Sequence, residues 1–292
     1  MGANFIKQIR AYLSLVKFAH TVFAMPFAIT GFLIGAYEQD FLIDYRVFLF
    51  IILCMVFARN TAMAFNRYTD RLFDAKNPRT NKREIPANAI SSTSALVFTI
   101  INMVLFVATT RFINNICFYL SPLALLVITG YSFTKRFTAL SHLVLGLGLS
   151  LAPIGAYLAV AGSFALLPVL YSFIVLFWVA GFDIIYSLQD YEFDKQEHLK
   201  SIPVVFGLRK AKIMALIFHI ISVLFIIIAG KEQDAGVIYY IGTLLFLLML
   251  LYQHIVVFTK GEKKVNAVFG LINGSSSIIF VAFNIADIFF KI

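Results

Sequence analysis

A bundle of membrane-spanning α-helices is the fold this sequence predicts, and three observations predict it. Of 292 residues, 61% are hydrophobic and only 13% charged, and the mean hydropathy is +0.88; a soluble chain of this length cannot hide so much apolar surface. The apolar residues form stretches of about twenty, the length a helix needs to cross a bilayer. The charged residues gather in the connections between those stretches. An all-α polytopic membrane protein follows, read as a single domain over residues 1–292.

Taken in order, the apolar stretches lie near 14–37, 45–66, 93–110, 114–133, 138–160, 165–189, 211–230, 235–258 and 266–290, the third being the shortest. Inside hydrocarbon each backbone polar group must be satisfied within its own segment, so each stretch is a helix. Nine spans put the two termini on opposite sides, and the basic residues orient them. With the N-terminus inside, Lys7, Arg10, Lys17, Arg67, Arg71, Lys76, Arg79, Lys82, Arg83, Lys135, Arg136, Lys195, Lys200, Arg209, Lys210, Lys212, Lys260, Lys263 and Lys264 face the cytoplasm. Only Arg46, Arg111, Lys231 and Lys291 face the other way, which makes nineteen against four. Arg59 lies within a span.

The net charge of +9 therefore reads as topology, attraction to an anionic bilayer surface and an anionic substrate, not nucleic acid. No obligate protein partner is implied. Cys54 and Cys117 both lie in apolar stretches and imply no disulfide framework. The N-terminal residues carry no pattern of a cleavable signal or transit peptide, and Ile6 breaks the myristoylation pattern.

Topology needs only the positive charges, yet eight of the fifteen acidic residues crowd into two cytoplasmic loops and the helix ends that feed them: Asp70, Asp74, Glu84, Asp183, Asp190, Glu192, Asp194 and Glu197. On a continuous helix Asp183, Asp190 and Asp194 fall within about 40° of one another, and Asn66, Asp70 and Asp74 step by four along one face. Like charges at this spacing repel, and their desolvation is expensive. Hard oxygen ligands so placed suit Mg²⁺, which keeps several waters and is completed by phosphate oxygens. The two stretches also form an internal repeat. Asp70-Arg-Leu-Phe-Asp74 and Asp190-Tyr-Glu-Phe-Asp194 share D-x-x-F-D, each follows a span, and each loop ends in Ile-Pro. The motif-bearing helices near 45–88 and 165–203 are thus expected to be related by pseudo-symmetry, their acidic ends facing each other.

Basic side chains interleaved with these carboxylates suit the oxygens of a diphosphate that Mg²⁺ leaves uncovered; Arg71, Lys135, Arg136 and Lys200 are the candidates. Arg59 lies seven residues before Asn66, about two turns deeper on the same face, and a cation there is a candidate anchor for an anionic acceptor. Lys17 and His20 are read in the same way. His142, His219 and His254 stand singly in apolar segments with no second ligand at helical spacing, so they give no metal signal. Gly146, Gly148, Gly155 and Gly162 read as helix-packing positions. No strand precedes them, which excludes a dinucleotide fingerprint.

The motifs N-x-x-x-D-x-x-x-D at 66–74 and D-x-x-Y-x-x-x-D-x-x-x-D at 183–194 resemble the paired motifs of the UbiA superfamily of intramembrane prenyltransferases. Lys17-Phe-Ala-His20-Thr through Pro26, Asn77-Pro-Arg79-Thr80, Tyr131-Ser-Phe-Thr-Lys135-Arg136 and Ser201-Ile-Pro203 support the resemblance, which covers essentially the whole chain. It implies nine helices around a central cavity under cytoplasmic cap loops. It also implies Mg²⁺-dependent transfer of a polyprenyl group from polyprenyl diphosphate to a small acceptor, in a cell (inner) membrane with the active site facing the cytoplasm. By position, Asn66, Asp70, Asp74, Asp190 and Asp194 are expected to hold the metal and diphosphate. Asp183, Tyr186 and Asp190 are expected to be catalytic, with Asp183 and Arg59 on the acceptor. The Lys-Phe-x-His-Thr and Asp-Ile-Ile-Tyr-x-x-Gln-Asp signatures look most like 4-hydroxybenzoate polyprenyltransferases of ubiquinone biosynthesis and their relatives in menaquinone synthesis. Other acceptors within the superfamily are a naphthoate, haem or a glyceryl phosphate. The reading from another class is a cation or secondary transporter, in which carboxylates would sit nearer the midplane beside interrupted half-helices.

Overall fold

The structure is a computed structural model that describes residues 2–16, 25–41, 44–260 and 265–290. The described chain is helical: α1 (Gly2–Leu15), α2 (Met25–Tyr37), α3 (Tyr45–Thr69), α4 (Arg71–Lys76), α5 (Ser92–Arg111), α6 (Asn115–Thr134), α7 (Ser141–Ala161), α8 (Leu166–Ser187), α9 (Tyr191–Gln196), α10 (Ile202–Phe206), α11 (Leu208–Glu232), α12 (Val237–Lys260) and α13 (Val265–Phe290), with no strand among the described residues. Among the described residues eight helices are long and apolar enough to cross a membrane. They are α3, α5 to α8 and α11 to α13, on the second to ninth predicted spans. The first predicted span meets the end of α1 and takes in α2, which is 13 residues long; Lys17 and His20 lie outside the described residues. The chain is an integral membrane protein.

Local chemistry sets several helix ends. Ser91 Oγ accepts the Ser94 N–H at 3.0 Å and caps α5. Gly162, with φ +67°, closes α7 in the left-handed conformation that glycine adopts at least cost. Its role is to stop a helix, which corrects the expectation that it packs one. Gly155 is corrected too, since a Cβ there meets nothing within 4 Å. Gly146 does pack: a Cβ there would lie 2.3 Å from the Leu176 carbonyl oxygen.

Two compact units are formed, Met1–Thr21 with Leu49–Phe133, and Val22–Phe48 with Thr134–Ile292. In the first, Leu15, Ala64, Ile85, Ile90 and Ala95 make a small core, and Asn60 Nδ2 donates to Asn102 Oδ1 at 3.0 Å to join α3 to α5. In the second, α8 packs against α7 and α11, α2 against α7, and α12 against α13. Its core is aromatic, built on Phe27, Tyr171, Trp178, Tyr239, Phe246 and Phe280. The most apolar 18-residue stretch of α8 is 61% buried, the most of the eight, against 17% for α3, the least, so α8 is the axis of its unit.

A polar network ties the second unit at the end of α8 away from the acidic motif. Tyr171 Oη donates to Asn284 Oδ1 at 3.0 Å. Asp287 accepts the Gly236 N–H at 2.9 Å and the Tyr239 N–H at 3.1 Å. Thus α13 supplies the cap that the start of α12 lacks in its own sequence. Asp287→Ala orphans the buried Tyr239 N–H, at about 1–3 kcal/mol, and the half-buried Gly236 N–H. The expected result is a melting temperature several degrees lower with prenyl-transfer turnover of the folded protein unchanged, measured by thermal denaturation in detergent beside an activity assay.

Candidate active site

The first acidic motif lies where α3 ends. Asp70, with φ −92° and ψ 4°, leaves the helix and starts the six-residue α4. The bonds Asp70 N–H to Asn66 O (2.9 Å) and Asp74 N–H to Asp70 O (2.8 Å) carry the chain through the turn. Asn66 Nδ2 donates to Asp70 Oδ2 at 2.9 Å. Asp74, only 6% exposed, accepts from Arg83 Nη1 at 2.6 Å through Oδ1, so the connection after α4 folds back over the motif. Arg71 donates to the Tyr68 carbonyl at 2.7 Å and lies 4.6 Å above the Tyr68 ring. Arg59 sits half-buried on the same unbroken helix as Asn66.

The second motif is built in the same way. A single 3₁₀ turn, Leu188–Asp190, follows α8, and Asp190 (φ −97°, ψ 5°) starts the six-residue α9. Asp70 and Asp190 thus share one backbone conformation, and neither uses its side chain to cap the helix it begins. Asp194, at the position in α9 that Asp74 holds in α4, is 3% exposed. Lys135 Nζ stands 3.6 Å from its Oδ2. The Lys200 N–H donates to the Lys135 carbonyl at 2.6 Å, which brings the connection after α9 onto the one after α6. Lys135, Asp194 and Lys200 are therefore together, while the Arg136 side chain is exposed.

The 3₁₀ turn corrects the expectation of one continuous helix through 183–194. A 3₁₀ turn advances about 120° per residue instead of 100°, so the helical phase that aligned Asp183 with Asp190 and Asp194 does not carry across it. Asp183 pairs instead with His142, whose Nδ1 lies 2.7 Å from Asp183 Oδ2. Tyr186, nearly a turn further on, packs on the apolar cluster of Ile184, Ile185, Leu188, Ile202 and Ala215. Two partners escape a reading of the sequence. Arg83 is one of many loop cations there, and His142 is a lone histidine in an apolar stretch. His219 and His254 are also brought together at 2.9 Å. His219 Nε2–H donates to the Trp178 carbonyl, so its Nδ1 takes the hydrogen of His254 Nε2.

The donor set fits Mg²⁺. Asp74 Oδ2 and Asp194 Oδ2 are each buried and accept no hydrogen bond from a described residue, and Lys135 stands beyond hydrogen-bond reach of the second. A buried carboxylate oxygen left without a donor is costly, and a hard dication removes that cost. Among the described residues no three His, Cys, Asp or Glu side chains converge to hold a metal alone. Mg²⁺ does not require them, since one or two carboxylates with water and phosphate suffice.

Comparison with known proteins gives a consistent picture. The description "UbiA prenyltransferase family" matches residues 24–282. A 4-hydroxybenzoate octaprenyltransferase of Photobacterium profundum is 31% identical over 215 residues, covering 73% of this chain and 74% of that protein. One from Aliivibrio fischeri is 29% identical, covering 83% and 84%. The apo structure of a UbiA homolog from Aeropyrum pernix is 30% identical with a TM-score of 0.83, covering 92% of this chain and 98% of the other. A UbiA homolog from Archaeoglobus fulgidus bound to DMAPP and Mg²⁺ shares the fold at 22% identity and a TM-score of 0.76, covering 96% and 99%. A match that runs through both acidic turns and nearly the whole chain makes this protein a member of the UbiA prenyltransferase family, an enzyme of prenyl transfer.

Proposed function

We propose that the protein transfers a polyprenyl group from polyprenyl diphosphate to an aromatic acid of the 4-hydroxybenzoate type, releasing diphosphate, as a step in quinone biosynthesis. The observation that carries this reading is the pair of like-built acidic turns, each with a basic side chain near its second aspartate, Asp74 or Asp194, whose buried Oδ2 accepts no hydrogen bond from a described residue. The names of the curated relatives support the aromatic acceptor, and the Archaeoglobus structure supports Mg²⁺ with a prenyl diphosphate.

Asn66, Asp70 and Asp74, with Asp190 and Asp194, hold Mg²⁺ and the diphosphate. Mg²⁺ held there would supply the charge that neutralises the diphosphate oxygens and stabilises diphosphate as a leaving group. Lys135, Arg136, Lys200 and Arg71 take the remaining oxygens. The carbon–oxygen bond breaks with its electron pair going to diphosphate, in surroundings that exclude water. The ring carbon of the acceptor forms the new carbon–carbon bond and then loses its proton, which leaves with the basic diphosphate product. Asp183 and Tyr186 orient that ring, and Arg59 holds its carboxylate. The excess of basic residues in these loops supports the cytoplasmic side of the cell (inner) membrane as the side on which this chemistry runs.

An acceptor panel tests the reading: purified membranes, polyprenyl diphosphate and Mg²⁺ with 4-hydroxybenzoate, a dihydroxynaphthoate or a glyceryl phosphate. Prenylated 4-hydroxybenzoate is the expected product, and product from the glyceryl phosphate alone would overturn the assignment. Arg59→Ala should raise KM for carboxylate acceptors about tenfold or more, the loss of one charge-assisted hydrogen bond. Equal loss with every acceptor would remove Arg59 from the acceptor site.

A further inference from the structure

His142 is fully buried, at 0% exposure, in the first turn of α7. Both of its ring nitrogens are engaged. The Ile202 backbone N–H meets Nε2 at 3.4 Å, and Nδ1 meets Asp183 Oδ2 at 2.7 Å. A backbone N–H only donates, so Nε2 is the acceptor and the ring hydrogen lies on Nδ1, pointing at Asp183. The tautomer is therefore assigned by a peptide group of the connection that carries Lys200, which itself bonds to Lys135 beside Asp194. In this way an unbroken run of contacts within the second unit joins Asp183 to the residues proposed for the diphosphate.

We propose that His142 is a positioning residue for the acceptor. Its Nδ1–H fixes one oxygen of Asp183, and this leaves the other, on a side chain still 14% exposed, to meet the aromatic ring. The inference rests on the reading that Asp183 serves the acceptor. A buried histidine that only joined α7 to α8 would need neither a fixed tautomer nor a carboxylate that keeps part of its surface open. Because the connection holding Lys200 supplies the Ile202 N–H, the orientation of Asp183 depends on that connection being seated.

The test combines kinetics with a spectrum. His142→Ala is expected to lower kcat/KM for the acceptor about a hundredfold, the effect of roughly 1 Å of misplacement at a reacting group, with KM for polyprenyl diphosphate unchanged. His142→Asn, whose amide nitrogen can stand where Nδ1 stands, should recover most of that loss, and His142→Gln should not. Equal loss in the Asn and Ala variants, or a matching rise in KM for polyprenyl diphosphate, overturns the proposal. If the unmodified protein prenylates no aromatic acid, the acceptor reading fails by itself. The positioning role is then decided by ¹⁵N spectra of histidine-labelled protein in bilayers. A Nδ1-protonated histidine, absent from His142→Asn and shifted by Asp183→Asn, is expected; a Nε2-protonated or doubly protonated ring at that position overturns it.

Discussion

Asp190→Ala is expected to cut release of diphosphate from a polyprenyl diphosphate by about a thousandfold or more, and Asp70→Ala to do the same. Stabilising the departing charge does most to lower the barrier of such a reaction, and removal of a single preorganised donor in comparable sites costs a hundred- to thousandfold. A metal ligand that also sets the turn for its neighbour should lie at the upper end. Asp70 and Asp190 begin short helices without capping them, so their loss does not unravel α4 or α9, and the melting temperature should move little. Asp74→Ala is expected to behave differently. It removes the partner of Arg83, so stability falls along with turnover, by an amount limited because the Arg83 side chain is 23% exposed and partly screened. Turnover assays with a Mg²⁺ titration, run beside thermal denaturation, separate the two patterns. Full turnover in Asp70→Ala and Asp190→Ala would remove both residues from the metal site.

The spans were legible because a bilayer imposes one length and one composition on them, and α3, α5 to α8 and α11 to α13 lie where hydropathy puts them. What hydropathy cannot carry is which face meets protein. The α3 and α8 stretches read alike, with the same hydropathy of 2.0, yet one is 17% and the other 61% buried. The acidic motifs were legible as clusters of charge in the wrong solvent, but not the turns within them. Positions compared at about 100° per residue presuppose a continuous helix, so their spacing cannot report the turns at Asp70 and at Leu188–Asp190 that interrupt it. Partners drawn from different helices were out of reach of any periodicity. His142 and Asp183 stand 41 residues apart, and His219 and His254 stand 35 apart. A rule that seeks a second ligand three or four residues away is blind to both pairs.

Gly146→Ala is expected to be among the most destabilising single-methyl changes in the second unit, and Gly155→Ala, on the same helix, to be neutral or stabilising. At Gly146 the new Cβ would lie 2.3 Å from the oxygen and 3.1 Å from the carbon of the Leu176 carbonyl. Backbone cannot swing aside as a side chain can, so α7 and α8 must separate by on the order of an ångström, and a close-packed interior transmits that strain at about 1–3 kcal/mol or more. Gly31 makes the equivalent contact between α2 and α7, where a Cβ would meet the Pro153 carbonyl oxygen at 2.0 Å. The two glycines together let α2, α7 and α8 approach backbone to backbone, the role of small residues between membrane helices. Gly155 has nothing within 4 Å of its Cβ position, so alanine there gains only helix propensity, up to about 1 kcal/mol. Because α7 carries His142 and α8 carries Asp183, separating them also stretches the 2.7 Å contact between those side chains. Gly146→Ala should therefore lose acceptor turnover even at temperatures where it stays folded, while Gly155→Ala keeps it. Equal melting temperatures for the two variants would show that the α7–α8 contact is looser than the glycine at 146 requires.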